Sequence, residues 1–201
     1  MATESTTSTP AQAWANPTAA GLVGLAVACF AHFANLSGYV TTAALPLFGA
    51  WLIGGFVVQL LVAVLDLRGG NTAGGNTFLF FSAFFMLAGG IEMIFKYNAI
   101  QDGAPLDGRI DGWAWLVLWL VLWLWTPAFF KKFNILSLVI VALDVALPFI
   151  SLIDLTVLPA SFKPVPAYAL LAAGVLGIYL SATLVVNTTY GRNVLPVIGG
   201  K

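Results

Sequence analysis

The sequence predicts an all-α membrane protein, a bundle of six transmembrane helices, and three observations predict it. Apolar side chains make up 60% of the 201 residues, and 20 glycines add to that share. Charged residues make up 8%, eight acidic and eight basic, where soluble domains carry about 25%. Six stretches are each long and apolar enough to cross a hydrocarbon core of about 30 Å, which takes about 20 residues. So few charges cannot coat a soluble globule, and a neutral chain lacks the basic surface that nucleic acid requires. The single cysteine, Cys29, excludes a disulfide framework and a thiolate-held metal.

Residues 1–15 are rich in Ser, Thr and Ala, and predict a disordered or solvated tail. No basic start precedes an apolar run there, so the tail does not read as a secretory signal. The transmembrane domain occupies residues 16–190, with spans at Pro17–Leu36, Ala43–Leu65, Phe78–Phe95, Trp113–Phe130, Ile135–Val157 and Ala167–Val186. None alternates with period two, which argues against a β-barrel. The linkers are short and dense in breakers, as at Ser37-Gly38, Asp102-Gly103-Ala104-Pro105 and Lys163-Pro164-Val165-Pro166. Residues 191–201 form a short C-terminal tail.

An even number of spans puts both termini on one side of the membrane. Arg68, Lys131, Lys132, Arg192 and Lys201 lie on that side, against Lys96, Arg109 and Lys163 on the other. Basic loops favour the cytoplasm, so both termini are expected on the cytoplasmic face of the plasma (inner) membrane.

The odd-numbered helices begin alike, with Asn16-Pro17, Asn71-Thr72 and Asn134. Asparagine is a good N-cap and proline suits the first helical position, so one reading is three well-capped helices. The other is that these helix starts, with their free N–H groups, form a pore mouth that attracts carboxylates. Nine or ten residues on stand Leu25, Phe81 and Leu143, about 14 Å deep at 1.5 Å per residue. The pattern suggests three pseudo-repeated helix pairs around a pore within one protomer.

These residues resemble a known family. Asn16-Pro17-Thr18-Ala19-Ala20-Gly21-Leu22 is similar to the NPAPLGL signature of the acetate uptake transporters, the succinate–acetate permeases. Gln59 precedes Asp66-Leu67-Arg68-Gly69-Gly70-Asn71-Thr72-Ala73-Gly74, similar to the family's E-x-(K/R)-x-G-N-T-x-G. Ile178-Tyr179-Leu180 follows in the last helix, and Tyr190-Gly191-Arg192-Asn193-Val194-Leu195-Pro196 resembles its closing FGRxVLP. The resemblance implies a homo-oligomer, a hexamer, with a pore in each protomer. It implies uptake of acetate and related small carboxylates, succinate among them, coupled to protons by symport or passing the protonated acid. Family pores narrow at a Phe, a Tyr and a Leu, which by position become Leu25, Phe81 and Leu143. The chain departs from the pattern: Leu25 replaces an aromatic, Phe81 lacks a hydroxyl, and Asp66 is shorter than Glu. Leu184 stands where the last helix commonly has a carboxylate.

Ionisable groups inside a bilayer are functional candidates by default. Asp144 lies about ten residues into the fifth span, and Pro148 four residues on cannot bond its backbone carbonyl. A freed carbonyl beside a carboxyl would suit a proton or a substrate; the alternative is a carboxyl bonded to a neighbouring helix. His32 titrates near neutral pH in water and is a second proton candidate. Glu92 pairs with Lys96 at i, i+4 near a span end, as an ion pair or a mouth charge, and Asp66 is a further gating candidate. Trp115, Trp119 and Trp123 form a stripe on the fourth helix that suits a structural or oligomer face. Gly21/Gly24, Gly54/Gly55, Gly89/Gly90 and Gly174/Gly177 suit close helix contacts.

No phosphate loop, catalytic triad, metal cluster or paired catalytic carboxylates assemble from the sequence, so neither an enzyme nor a cofactor is expected. The expected function is a transporter or channel for acetate-sized carboxylates, with protons and the lipid bilayer as its other partners. Two alternatives stand beside it: a passive pore for small neutral solutes such as urea or ammonia, and a non-transporting membrane scaffold or sensor.

Overall fold

The computed structural model describes residues 14–131 and 134–199. The expectations for residues 1–13, Lys132 and Lys201 therefore lie outside the described residues. Six helices are long and apolar enough to cross a membrane: α1 (Thr18–Leu36), α2 (Thr42–Arg68), α3 (Thr72–Asp102), α4 (Arg109–Phe130), α5 (Ile135–Asp154) and α6 (Ala160–Tyr190). No strand occurs among the described residues.

Local chemistry sets the ends of these helices. The Asn16 side-chain oxygen accepts the Thr18 backbone N–H at 2.9 Å, and that of Asn71 accepts the Gly74 N–H at 3.1 Å. Asn134 goes further and forms a capping box with Ser137. α3 and α6 stop at Gly103 and Gly191, both at φ +62°, where a side chain would be strained. α3 outruns its expected span of Phe78–Phe95 by about two turns at the far end. Hydrogen bonding and caps end a helix, whereas hydropathy marks only its lipid-immersed part.

Each helix packs on its neighbours in sequence, and α6 closes the ring against α1. α2 and α3 approach so closely that a Cβ on Gly90 would lie 2.8 Å from the Gly49 carbonyl oxygen. Gly54, expected in such a contact, instead faces open space.

One feature of α3 has no sequence signature. Phe81–Ala88 winds as a π-helix, whose turns hold one residue more than α turns. Phe81, Ser82, Phe85, Met86, Gly89 and Gly90 are buried, a stripe repeating every four residues. An α-helix would let a four-residue stripe drift around its axis; the wider turns hold Phe81 and Phe85 toward the ring's interior.

Candidate functional site

Three spaces are lined, in turn, by the helix ends near the termini, by the odd-numbered helices and by the opposite helix ends. The first, on the side of the termini, measures about 440 Å³ and is lined by Trp14, Asn16, Pro17, Asp66, Arg68 and Asn71 among others. Asp66 dominates it: its carboxylate accepts the Asn71 amide at 3.0 Å and the Thr18 hydroxyl at 3.4 Å. Asn71 thereby spends both ends of its side chain, its oxygen on the α3 start and its nitrogen on Asp66.

The second space is a small cavity of about 30 Å³, room for a water-sized molecule. α1, α3 and α5 supply most of its wall, as the three-pair pattern predicts: Thr18, Leu22 and Leu25; Gly74, Thr77, Phe78 and Phe81; Leu136, Val139, Ile140 and Leu143. Asn71, Gln59 of α2 and Phe129 of α4 complete it, and no charged side chain among the described residues lines it. Leu25, Phe81 and Leu143, the expected neck, are all buried and line it together. The Phe81 ring packs edge-on to Phe85 at 5.7 Å, and Phe85 lines the third space. This aromatic pair separates the two.

The third space, at the end away from the termini, is a vestibule of about 440 Å³. Its wall includes His32, Phe85, Glu92, Lys96, Trp115, Asp154 and Lys163. Lys96 forms ion pairs with Glu92 and, at 3.0 Å, with Asp111. His32 stacks on Phe85 at 4.7 Å and meets Phe48 edge-on at 4.6 Å. Its Nδ1 lies 2.9 Å from the Ala28 carbonyl, which only accepts, so Nδ1 bears the proton and donates. On the nearby loop the Arg109 guanidinium, bonded at 2.6 and 2.8 Å, holds the Asp107 carboxyl down to about 2.

Other sequence candidates fall elsewhere. Asp144 is not among the residues that line these three spaces. α5 runs unbroken through Pro148, and the freed Asp144 carbonyl accepts the Trp123 indole N–H at 3.0 Å. The Asp144 carboxylate accepts the Thr126 hydroxyl at 2.7 Å. Asp144 is thus bonded to the neighbouring helix, and no open carbonyl stands beside the neck. Asn134 and Thr72 do not line the three spaces either, Asn134 being spent on the α5 cap. The tryptophan stripe divides: Trp115 faces the vestibule, Trp123 bonds α5, and Trp113 and Trp123 are exposed outside.

Two residues in the cavity wall escaped sequence reasoning. Gln59 is 1% exposed and Thr77 is 8% exposed, and each has a polar atom without a hydrogen-bond partner. A signal existed for Gln59, which is the one polar side chain between Leu45 and Leu65.

The helical fold matches that of a solved structure, the bacterial acetate channel SatP. The likeness has a TM-score of 0.79 at 21% identity and covers 92% of this chain and 99% of that one. The two chains share one fold. The resemblance that Asn16–Leu22 and Tyr190–Pro196 suggest is borne out at that level. No family model and no curated protein sequence matches the chain. In this fold the closing stretch is tied back to α6: Asn187 accepts the Val194 and Leu195 N–H groups at 2.8 and 2.9 Å, and Tyr179 donates to the Pro196 carbonyl at 2.7 Å.

Proposed function

We propose that the protein conducts acetate and related small carboxylates across the plasma membrane, as the undissociated acid or as the anion together with a proton. The observation that carries this reading is the uncharged cavity behind the Leu25–Phe81–Leu143 neck. Moving a bare carboxylate into such a space is expensive, because no charged side chain among the described residues of its wall replaces its water. A neutral acid bears no such cost, and its methyl group suits the aliphatic and aromatic wall. The cavity of about 30 Å³ is too small for a hydrated anion, so passage requires the neck side chains to move.

The fold shared with an acetate channel supports the substrate class. Arg68, Lys131 and Arg192 on the side of the termini support a cytoplasmic placement of both ends. The exposed apolar residues of α4, among them Trp113, Val117, Trp123 and Leu124, suit lipid or further copies of the chain, six by the resemblance. Radiolabelled acetate flux into proteoliposomes tests the central claim. Uptake is expected to rise when the external side is made acidic, and flux indifferent to an imposed pH gradient would overturn proton linkage.

A neutral solute pore is the second reading, favoured by the same uncharged wall. It differs in one measurable respect: acetate and other carboxylates would then compete no better than urea.

A further inference from the structure

The inner cavity has four polar side chains in its wall, and their hydrogen bonds divide them into two pairs. Thr18 and Asn71 are committed to Asp66, which lies in the neighbouring mouth. Gln59 and Thr77 are buried, line the cavity, and keep Oε1 and Oγ1 without a protein partner. An unpartnered buried polar atom ordinarily costs about 1–3 kcal/mol, so two in one small space call for a hydrogen-bonding guest, a water at the resting volume of about 30 Å³ or a polar solute when the space widens.

The orientation of Gln59 identifies what that ligand must offer. Its Nε2 donates to the Gly21 backbone carbonyl at 3.2 Å. A carbonyl only accepts, so the nitrogen belongs on that side and the oxygen is the free end. The Gln59 oxygen accepts and never donates. A carboxylate anion, which also only accepts, has nothing to give it. The Thr77 hydroxyl is free to donate one bond.

We infer that Gln59 and Thr77 form a neutral subsite that selects the undissociated form of a small monocarboxylic acid on the terminal side of the neck. Once the neck side chains move and widen the cavity beyond its resting volume of about 30 Å³, the acid O–H donates to Gln59 Oε1 and the Thr77 hydroxyl donates to the acid carbonyl oxygen. This deepens the transport reading and rests on it, since it names the protonation state in which the acid is held. The same acceptor–donor pair fits a primary amide through its N–H and carbonyl, and it does not fit a ketone of equal size, which has no donor.

Acetamide and acetone therefore serve as probes. In proteoliposomes of the wild-type chain, acetamide is expected to compete with labelled acetate uptake and acetone is not. Gln59→Met keeps the length of the side chain and removes the acceptor, and it should weaken acetamide competition about tenfold, one lost hydrogen bond. Thr77→Val should act in the same direction, while Thr77→Ser, which keeps the hydroxyl, should behave as wild type and controls for folding. Acetone competing as well as acetamide, or Gln59→Met retaining wild-type competition, would overturn the subsite. Vesicle swelling in acetamide, corrected for empty vesicles, reads the subsite without any carboxylate. Loss of acetate flux together with intact, Gln59-dependent acetamide swelling would sink the transport reading and leave the subsite standing.

Discussion

The two spaces on either side of Phe81 and Phe85 are built from opposite chemistry. The vestibule gathers Glu92, Lys96, Asp154, Lys163 and His32 around a volume of about 440 Å³. The cavity behind the neck has no charged side chain among the described residues and about 30 Å³. Wide charged surroundings attract ions and let them keep their water, whereas a narrow neutral space rejects charge. On the proposed transport reading, the first would capture and the second would select. The two regions should respond differently to the same kind of perturbation.

The largest effect is expected at the neck. Phe81→Trp adds volume to a buried position beside a cavity of only about 30 Å³, and filling it should reduce acetate flux more than tenfold. Tracer uptake in proteoliposomes checks it, and a fully active variant would remove Phe81 from the path. At the vestibule the outcome should be milder and of another kind. Lys96→Gln leaves Glu92 and Asp111 without their cation, and should raise the KM for acetate about fivefold at low salt. That increase should shrink as ionic strength grows, with the maximal rate retained. A variant whose maximal rate falls while KM holds would place Lys96 in the selecting step.

Outside both spaces, stability and flux should part company. Thr126→Val removes the bond to Asp144 and is expected to cost about 1 kcal/mol, read as a lower Tm in detergent, with flux unchanged. A loss of flux there would restore Asp144 to the pathway. The smallest effect belongs to Asp107→Asn. Arg109 holds that carboxyl down to about 2, so its interaction is fully present above the usual carboxylate range and lost only as pH falls through about 2. The pH profile of uptake between about pH 5 and about pH 8 should be the same in this variant as in wild type.

Much of this arrangement is legible in the sequence, and what escaped has a physical cause. Span number, the polar helix starts and the meeting of Leu25, Phe81 and Leu143 at one cavity are local or periodic signals, which survive in a linear string. Asp144 shows the limit of that logic. Its depth and the following proline are correctly read, yet the partners of its carbonyl and Oδ2, Trp123 and Thr126, lie on another helix, and its buried Oδ1 has none. Lys96 shows the same limit, since Asp111 joins its ion pair from across the α3–α4 loop. Gln59 was visible as an isolated amide in an apolar run. Its free oxygen was not, because only the approach of Gly21 fixes which end of the amide is spent.

The π-helical segment bears on how this chain tolerates changes of length. A π turn is an α turn that has absorbed one extra residue. Deleting one residue within Phe81–Ala88 would let α3 wind as a plain α-helix, while Gly90 stayed at its crossing with Gly49 and Glu92 stayed beside Lys96. The same deletion earlier in α3, between Thr72 and Phe80, would rotate everything that follows by about 100°. Single-residue length variation in this helix is therefore confined to the stretch that faces the neck. There it would reposition one aromatic ring and leave the rest of the bundle in register.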